Sequence, residues 1–194
     1  THVNLAVQRR NHTELARWQA RVRATAAYAT DGTRKVVCVK DVHGQVVGKE
    51  WVIARGGGRH DGVVTGGGLH EPEGADNTLA ELAGLLDVLH DAEAGGRVII
   101  VVDATSPVYA ARKFRRICHR WKQGYLVGEW YDTLLRLIDR QEVVVFLWQT
   151  SHVGAPVNEL ADCIADEAAE SLTVKVGHEE NRNRGGTHRF LGFR

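Results

Sequence analysis

The run Arg-Val-Ile-Ile-Val-Val at Arg97–Val102 constrains the fold of this chain more than any other segment. Consecutive apolar β-branched residues are typical of a parallel strand that is covered on both faces of its sheet. Asp103 ends the run, so a carboxylate stands where a buried strand stops. Val143–Trp148 is predicted as the last strand. Apolar residues at helical spacing predict the helices Asn77–Ala92, Glu129–Arg140 and Pro156–Leu172, and Pro107 suits the first turn of a further helix that carries Tyr109 through His119.

The segment before these elements predicts an antiparallel meander. The three β-prone stretches are Ala24–Thr30, Lys35–Val42 and Val46–Ala54, joined by turn signals at Asp31-Gly32 and His43-Gly44. Residues 55–76 contain eight glycines and little apolar material, so we expect a flexible loop there. No Gly-Lys-Ser/Thr follows these glycines, which argues against a P-loop. The whole pattern predicts an α/β fold with a mixed five-stranded sheet, three antiparallel strands and then two parallel additions, flanked by helices.

Length and composition favour one globular domain with extensions. A chain of 194 residues is long enough for a sizeable core, and its 43% hydrophobic content is ordinary for a soluble protein. We predict a basic N-terminal arm or linker at 1–23 with a short helix from Thr13 to Trp18, a domain at 24–172, and a flexible polar and basic tail at 173–194. Three distant cysteines with no CxxC pair favour reduced packing residues and a cytoplasmic setting. No apolar run approaches the roughly 18–20 residues of a membrane span, so we expect no membrane partner, and we expect a monomer.

Four carboxylates and one histidine lie at predicted strand ends, helix positions and turns that could meet in one site. They are Asp31, Glu81, Asp103, Asp162 and His152. Asp31 and Asp103 each follow a predicted strand, and ligands of open α/β sheets gather beyond strand ends. Glu81 lies one turn into the first long helix. His152 lies in the turn before the last helix, and Asp162 lies inside that helix.

This combination of residues favours a site for divalent metal ions. Carboxylates that are brought close together repel one another and resist ionisation unless a cation neutralises them. Mg²⁺ and Mn²⁺ prefer such oxygen ligands, and two ions about 4 Å apart can activate a water and stabilise the leaving oxygen of a phosphodiester. Taken singly, each residue has an ordinary explanation: a turn for Asp31, a solvated helix position for Glu81, a helix cap for Asp103 and a surface charge for Asp162.

Four segments resemble the ribonuclease H family, type 1, over residues 24–172. Tyr28–Thr33 resembles the segment with the family's first catalytic aspartate, Asn77–Leu82 the helix motif with its glutamate, and Val101–Asp103 the strand with its second aspartate. The longest match is His152–Asp162, which resembles the signature His-x-Gly-x-Pro-x-Asn-x-x-Ala-Asp. The resemblance implies a ribonuclease H-like fold.

The same resemblance implies an endoribonuclease that cuts the RNA strand of RNA–DNA hybrids with two Mg²⁺ ions, with Mn²⁺ as an alternative, and leaves 5′-phosphate and 3′-hydroxyl ends. It makes Asp31, Glu81, Asp103 and Asp162 the catalytic metal ligands and gives His152 a role in proton transfer or product release. It places Asn77 and Thr78 at the minor groove of the hybrid, where the 2′-hydroxyls are displayed. Further predicted hybrid contacts are Gly32, Thr33 and Asn158.

A basic segment with interleaved aromatic residues lies before the predicted helix Glu129–Arg140. The family often holds the DNA strand with a basic protrusion at this place, and lysine and arginine would bind phosphates while aromatic rings pack on sugars or bases. The alternative is a solvated helix face with Trp121 in the core. The predicted contacts are Arg112, Lys113, Arg116, Arg120, Trp121 and Lys122.

Two other functions stay open at this point. A non-catalytic module that binds hybrids would keep the fold and the basic segment but lose a metal ligand. A DNA nuclease of a related fold, of the resolvase or transposase type, also collects carboxylates, but such proteins do not usually carry the His-x-Gly-x-Pro-x-Asn segment.

Overall fold

The computed structural model describes residues 2–7, 12–61, 64–70, 76–109, 126–150 and 156–172. These residues form one six-stranded sheet with four long helices against it. The strands are β1 (His2–Val7), β2 (Ala26–Lys40), β3 (Val46–Arg59), β4 (Val64–His70), β5 (Arg97–Val102) and β6 (Val143–Trp148). The helices are α1 (His12–Val22), α2 (Asn77–Asp91), α3 (Leu126–Asp139) and α4 (Pro156–Ser171).

The sheet is mixed, with the strand order β1-β6-β5-β2-β3-β4. Strands β1, β6, β5 and β2 run parallel, while β3 pairs antiparallel with β2 and β4 pairs antiparallel with β3. The predicted mixed sheet of three antiparallel strands with parallel additions is confirmed, and β5 and β6 have the predicted bounds, but β1 makes a third parallel addition. Residues 98–102 and 144–147 are all buried, because helices cover both faces of these parallel strands.

The helices form a layer on each face of the sheet. On one face, α2 and α3 build the larger core around Tyr28, Ile100 and Phe146. On the other face, α1 and α4 pack against a second cluster that includes Ile99 and Leu147. Every long apolar stretch found in the sequence is therefore used between a helix layer and the sheet.

Side chains from outside α2 form hydrogen bonds with free backbone groups at both ends of this helix. The carboxylate of Asp76 accepts a hydrogen bond from the Leu79 amide at 2.9 Å and caps the first turn. At the other end, the Arg140 guanidinium donates to the carbonyls of Leu89 and Ala92 at 3.1 and 2.8 Å. Helix α2 is thus fixed at both termini, which matters because it carries one of the candidate site residues.

The predicted turn at Asp31-Gly32 is wrong. Strand β2 continues through both residues, which pair with Gly56 and Arg55 of β3. The two predicted strands on either side of this dipeptide are one long strand, and the third strand of the meander is β4 instead. An Asp-Gly signal is a local preference, and the continuous ladder with β3 overrides it.

The predicted flexible loop at 55–76 is also wrong for most of its described residues. Its first part belongs to β3, and β4 lies within it. The glycines serve close packing of helices on the sheet: a Cβ at Gly56 would overlap the Ala161 carbonyl of α4, and one at Gly57 would lie 2.7 Å from Val88 Cγ1 of α2. Glycine therefore marks a crowded sheet surface here and not a mobile connector.

The segment 1–23 contributes to the sheet and to one helix layer, which corrects the expectation of an arm outside the core. Strand β1 pairs in parallel with β6 and adds a sixth strand. Helix α1 is longer than the predicted short helix, and its Leu15, Trp18 and Val22 pack against the second core cluster. The segment was misread because arginines dominate its composition, and two of them, Arg17 and Arg21, lie on the amphipathic helix α1.

Residues 106–109 are helical, which agrees with a helix start at Pro107. Residues 110–125, 151–155 and the predicted tail 173–194 lie outside the described residues. No helix in the described part of the chain combines the length and the apolarity needed to cross a membrane.

Candidate metal centre

The register of two parallel strands brings Asp31 and Asp103 together. The pairing of β2 with β5 ends at Thr30 opposite Val102, and the residue that follows each of these two in the chain is an aspartate. Neighbouring parallel strands lie about 4.8 Å apart, and residues at equivalent positions beyond the last pair stay adjacent. The prediction that these two carboxylates would meet is confirmed, although Asp31 lies in the middle of β2 and not at its end.

Close packing of α2 on β2 brings Glu81 to the same place. A Cβ at Gly32 would overlap the backbone of Ala80 and Glu81, so only glycine allows the helix to lie this near to the strand. One carboxylate oxygen from each of Asp31, Glu81 and Asp103 then lies within 4.8 Å of the others. The carboxylate trio, as we call these three residues, thus joins two strands and one helix.

Two hydrogen bonds from the end of β6 hold the end of β5. The Gln149 amide donates to the Val102 carbonyl at 2.8 Å, and the indole Nε1 of Trp148 donates to the Asp103 carbonyl at 2.7 Å. These bonds fix the backbone at Asp103 just past the last paired residue. Trp148 is a positioning residue that no spacing in the sequence had indicated.

The fourth predicted carboxylate, Asp162, lies beside the trio on α4. It hydrogen-bonds with Asp31 and raises the pKa of that residue. Close approach of α4 to Gly56, the β3 partner of Asp31, places the helix there. Asn158 lies one helical turn earlier and is 2% exposed, and its side-chain oxygen has no hydrogen-bond partner among the described residues.

Burial and mutual repulsion raise the pKa values of two members of the trio. Burial raises the pKa of Asp31 to about 7, and the charges of Asp103 and Asp162 act in the same direction. Burial also raises the pKa of Glu81 to about 10, again with help from Asp103 and Asp31. The Gly32 amide opposes both shifts, and it donates to Asp31 Oδ1 at 2.7 Å. A divalent cation would remove the repulsion that disfavours ionisation.

The donor set fits a hard divalent cation. All of its ligand atoms are carboxylate oxygens, and Mg²⁺ and Mn²⁺ prefer oxygen over nitrogen or sulfur. The trio mixes two buried carboxylates with the half-buried Asp103, so the site is both enclosed and reachable. These residues could therefore hold a metal ion.

The remaining predicted site residues divide into those that the structure describes and those that it does not. Gly32 is buried against α2, Thr33 follows it half-buried on β2, and Asn77 is exposed and Thr78 half-buried in the first turn of α2. His152 and the basic segment, which comprises Arg112, Lys113, Arg116, Arg120, Trp121 and Lys122, lie outside the described residues.

A scan against models of protein families found no match to this chain. A search of curated proteins likewise found no matching relative.

Proposed function

We propose that this protein is a metal-dependent endoribonuclease that hydrolyses the RNA strand of RNA–DNA hybrids. The observation that carries the proposal is the carboxylate trio, in which oxygens from three separate elements lie within 4.8 Å of one another. Buried charges of one sign are costly, and a chain has little reason to collect them unless a cation joins them.

Each acidic residue has a distinct part in this proposal. Asp31 is central because it neighbours Asp103 and Glu81 and also interacts with Asp162. Asp31, Glu81 and Asp103 would hold one divalent ion, and Asp162 with Asp31 would complete a second position. When bound, two such ions lower the pKa of a water and stabilise the leaving oxygen of a phosphodiester.

The choice of substrate rests on the resemblance and on the surroundings of the trio. Mixed strand order and helices on both faces are compatible with a ribonuclease H-like fold. The first turn of α2 carries Asn77 and Thr78 in front of Glu81, with amide and hydroxyl groups that suit 2′-hydroxyls in a minor groove. Two further features support the same assignment: the buried oxygen of Asn158, which has no hydrogen-bond partner among the described residues, and the signature at 152–162.

A cleavage assay with three substrates tests the proposal. Labelled RNA–DNA hybrid, duplex DNA and duplex RNA are incubated with the protein, with and without Mg²⁺. We expect cutting of the hybrid's RNA strand only, dependent on Mg²⁺, with 5′-phosphate and 3′-hydroxyl products. Asp103→Asn should lower the rate by more than about 10²-fold, since removal of groups that merely support metal ligands already costs 10–100-fold.

The matched control is Asp132→Asn on α3. Asp132 is an exposed aspartate that pairs with Arg136 at 3.2 Å, far from the trio in the chain, and its loss should leave the cleavage rate unchanged. Binding of hybrid without cutting would favour the non-catalytic module. Equal cutting of duplex DNA would favour the resolvase or transposase type.

A further inference from the structure

Strands β2 and β3 form a long hairpin whose outer half extends past α2. We call residues 33–53 the hairpin arm; five of the eight large apolar residues exposed in the described part of the chain lie on it. Trp51 is 47% exposed and Val36 is 44% exposed, and these two face each other across the strands. Exposed apolar surface concentrated on one element marks an interaction site more often than scattered residues do.

The two faces of the hairpin arm differ in charge. On the α2 side, which we call the outer face, the cross-strand pairs are Arg34 with Ile53, Val36 with Trp51, and Cys38 with Lys49. Lys40 follows on the same strand, two residues after Cys38, and pairs with Val46 beyond an irregularity in the register. Ile53 packs into the core beneath α2, which identifies the side. The described residues of this face thus carry three cations and no carboxylate.

The acidic residues of the hairpin arm are used elsewhere. Glu50 points to the opposite face, since it precedes Trp51 on the same strand. On that opposite face Lys35 pairs with Asp166 of α4 at 2.5 Å. Asp41 lies in the turn, where its carboxylate accepts from the amides of His43 and Gln45 at 2.8 Å each. Neither of the two acidic residues of the arm therefore lies among the cross-strand pairs of the outer face.

An aromatic ring stands within this positive surface. The Arg34 guanidinium lies 4.0 Å from the centroid of the Trp51 ring, a cation–π contact that fixes the ring. Nearly half of Trp51 still faces solvent. A fixed, exposed indole with cations around it is the arrangement by which proteins stack unpaired bases while binding the backbone phosphates.

The outer face begins close to the carboxylate trio. Arg34 follows Asp31 on the same strand by three residues, or about 10 Å, and Lys40 lies about 20 Å beyond Arg34. The face therefore leads away from the trio along the hairpin arm. Its charge complements a polyanion, and its aromatic ring suits bases that are not paired.

We infer that the outer face of the hairpin arm binds a single-stranded nucleic-acid segment that extends from the hybrid at the carboxylate trio. Trp51 stacks one unpaired base, and Lys40 and Lys49 bind phosphates farther out. This inference rests on the proposed function for the hybrid itself. It adds a preference for hybrids that end in a single strand over blunt hybrids.

A binding comparison tests this inference independently of cleavage. The probes are a blunt RNA–DNA hybrid and the same hybrid with a single-stranded DNA extension, and their affinities are measured with chelator present so that no cutting occurs. Wild-type protein should prefer the extended probe, and Trp51→Ala should reduce the ratio of the two affinities by about tenfold, since stacking on one aromatic ring is worth that much. The control Val64→Ala, which removes an equally exposed apolar residue from β4, should keep the ratio.

A second variant tests the cations. Lys40→Gln combined with Lys49→Gln should reduce the slope of log affinity against log salt concentration for the extended probe by about 1.4, because each phosphate contact of a single strand contributes about 0.7. Lys35→Gln on the opposite face should leave the slope unchanged. Thermal unfolding of each variant, compared with that of the wild type, checks that the fold is kept.

Three results would overturn the inference. The first is equal affinity of the wild type for both probes, and the second is an unchanged ratio in Trp51→Ala. The third is concentration-dependent dimerisation of the wild type that Trp51→Ala abolishes, since a second copy of the chain would then cover the face. A failure of the proposed function looks different, because hybrid cleavage with Mg²⁺ would be missing whatever the two affinities are.

Discussion

Helix α2 carries two buried carboxylates, Glu81 and Asp87, whose surroundings differ in one respect. Asp87 forms a buried ion pair with Arg55 of β3, and both side chains are 9% exposed. Glu81 lies with Asp31 and Asp103, so the groups that act most strongly on it are further carboxylates. The same helix therefore buries one acid beside a cation of the chain and another beside charges of its own sign.

The pKa values follow this difference. Burial raises the pKa of Asp87, but the charge and hydrogen bond of Arg55 oppose the shift. Burial raises the pKa of Glu81 to about 10, and its acidic neighbours add to the shift. A buried acid with its own arginine is a structural element of the fold. A buried acid among acids either keeps its proton or is neutralised by a cation from outside the chain, and the second possibility is the physical basis for a metal site.

Removal of the arginine from the compensated pair should have the largest effect. Arg55→Met leaves Asp87 buried without its cation, and loss of one partner of a buried pair costs about 3–5 kcal/mol in the free energy of unfolding. Unfolding by denaturant measures this loss in the free energy of unfolding. The control Arg136→Met breaks the exposed pair with Asp132 and should cost less than about 0.5 kcal/mol. Equal losses in both variants would remove the contrast between the two regions.

Gly32→Ala should separate the members of the trio without removing any of them. The new Cβ meets the backbone of α2 at Ala80 and Glu81, and the helix must move away. We expect a loss of about 1–3 kcal/mol in unfolding free energy from overpacking. We also expect a loss of about 10²-fold in hybrid cleavage, because small displacements of reacting groups have effects of that size.

The control for this variant is Gly48→Ala on the same hairpin, where the nearest side-chain atom to the new Cβ, on Val39, is 3.8 Å away. Cleavage by Gly48→Ala should equal that of the wild type. If Gly32→Ala cleaves hybrid at the wild-type rate, the close approach of α2 is not needed for the trio.

The uncompensated region should make stability without metal depend on pH. Folded pKa values of about 7 for Asp31 and about 10 for Glu81 lie above their ordinary values of 3.8 and 4.5. The protonated forms are therefore favoured in the folded state, and their contribution to stability is complete below about pH 4 and is lost as pH rises toward the folded values. Between about pH 5 and pH 6, with chelator present, each of the two groups contributes a loss of about 1.4 kcal/mol per pH unit, so we expect a loss of about 2–3 kcal/mol in all, or about 4–12 °C in unfolding temperature.

The variant Glu81→Gln sharpens this prediction. Glutamine carries no proton to lose, so the fall in unfolding temperature between these pH values should be smaller than in the wild type. A wild-type protein that becomes more stable over this pH range in chelator would show that the trio does not hold its protons as described.

Trp148→Phe should have the smallest effect of these changes. Phenylalanine keeps an aromatic side chain, although a smaller one, but has no N–H in place of the indole Nε1 that donates to the Asp103 carbonyl at 2.7 Å. One hydrogen bond contributes about 1 kcal/mol, so we expect a rate of hybrid cleavage about fivefold lower at limiting Mg²⁺. If Trp148 acts by positioning Asp103, saturating Mg²⁺ should restore most of the rate. A loss that is the same at every Mg²⁺ concentration would mean a merely structural role.

Elements with a strong one-dimensional pattern could be predicted from the sequence. The bounds of β5 and β6 were predicted correctly because their apolar runs are continuous, and α2 was predicted to within one residue at its end because its leucines recur at helical spacing. The proximity of Asp31 and Asp103 followed from the pairing of two neighbouring parallel strands, which ends one residue before each aspartate. These features depend on local sequence and on a single pairing.

Features that depend on the approach of a distant element could not be predicted. Gly32 and Gly56 appear in the sequence as turn and loop residues, whereas each permits a helix to pack on the sheet beside the trio. Strand β4 has few β-formers and is identified only by its pairing with β3. The role of Trp148 depends on a hydrogen bond to Asp103, which is far away in the chain.

The central claim is that the carboxylate trio needs a cation from outside the chain, and metal-dependent stabilisation tests it most directly. The unfolding temperature is measured at about pH 8 as Mg²⁺ is added to the wild type, to Asp103→Asn and to the control Asp132→Asn. The account predicts that the wild type and the control gain about 2.7 kcal/mol at a Mg²⁺ concentration of about 100 times Kd, and that Asp103→Asn gains far less. Equal stabilisation of all three proteins, or none in the wild type, would contradict it.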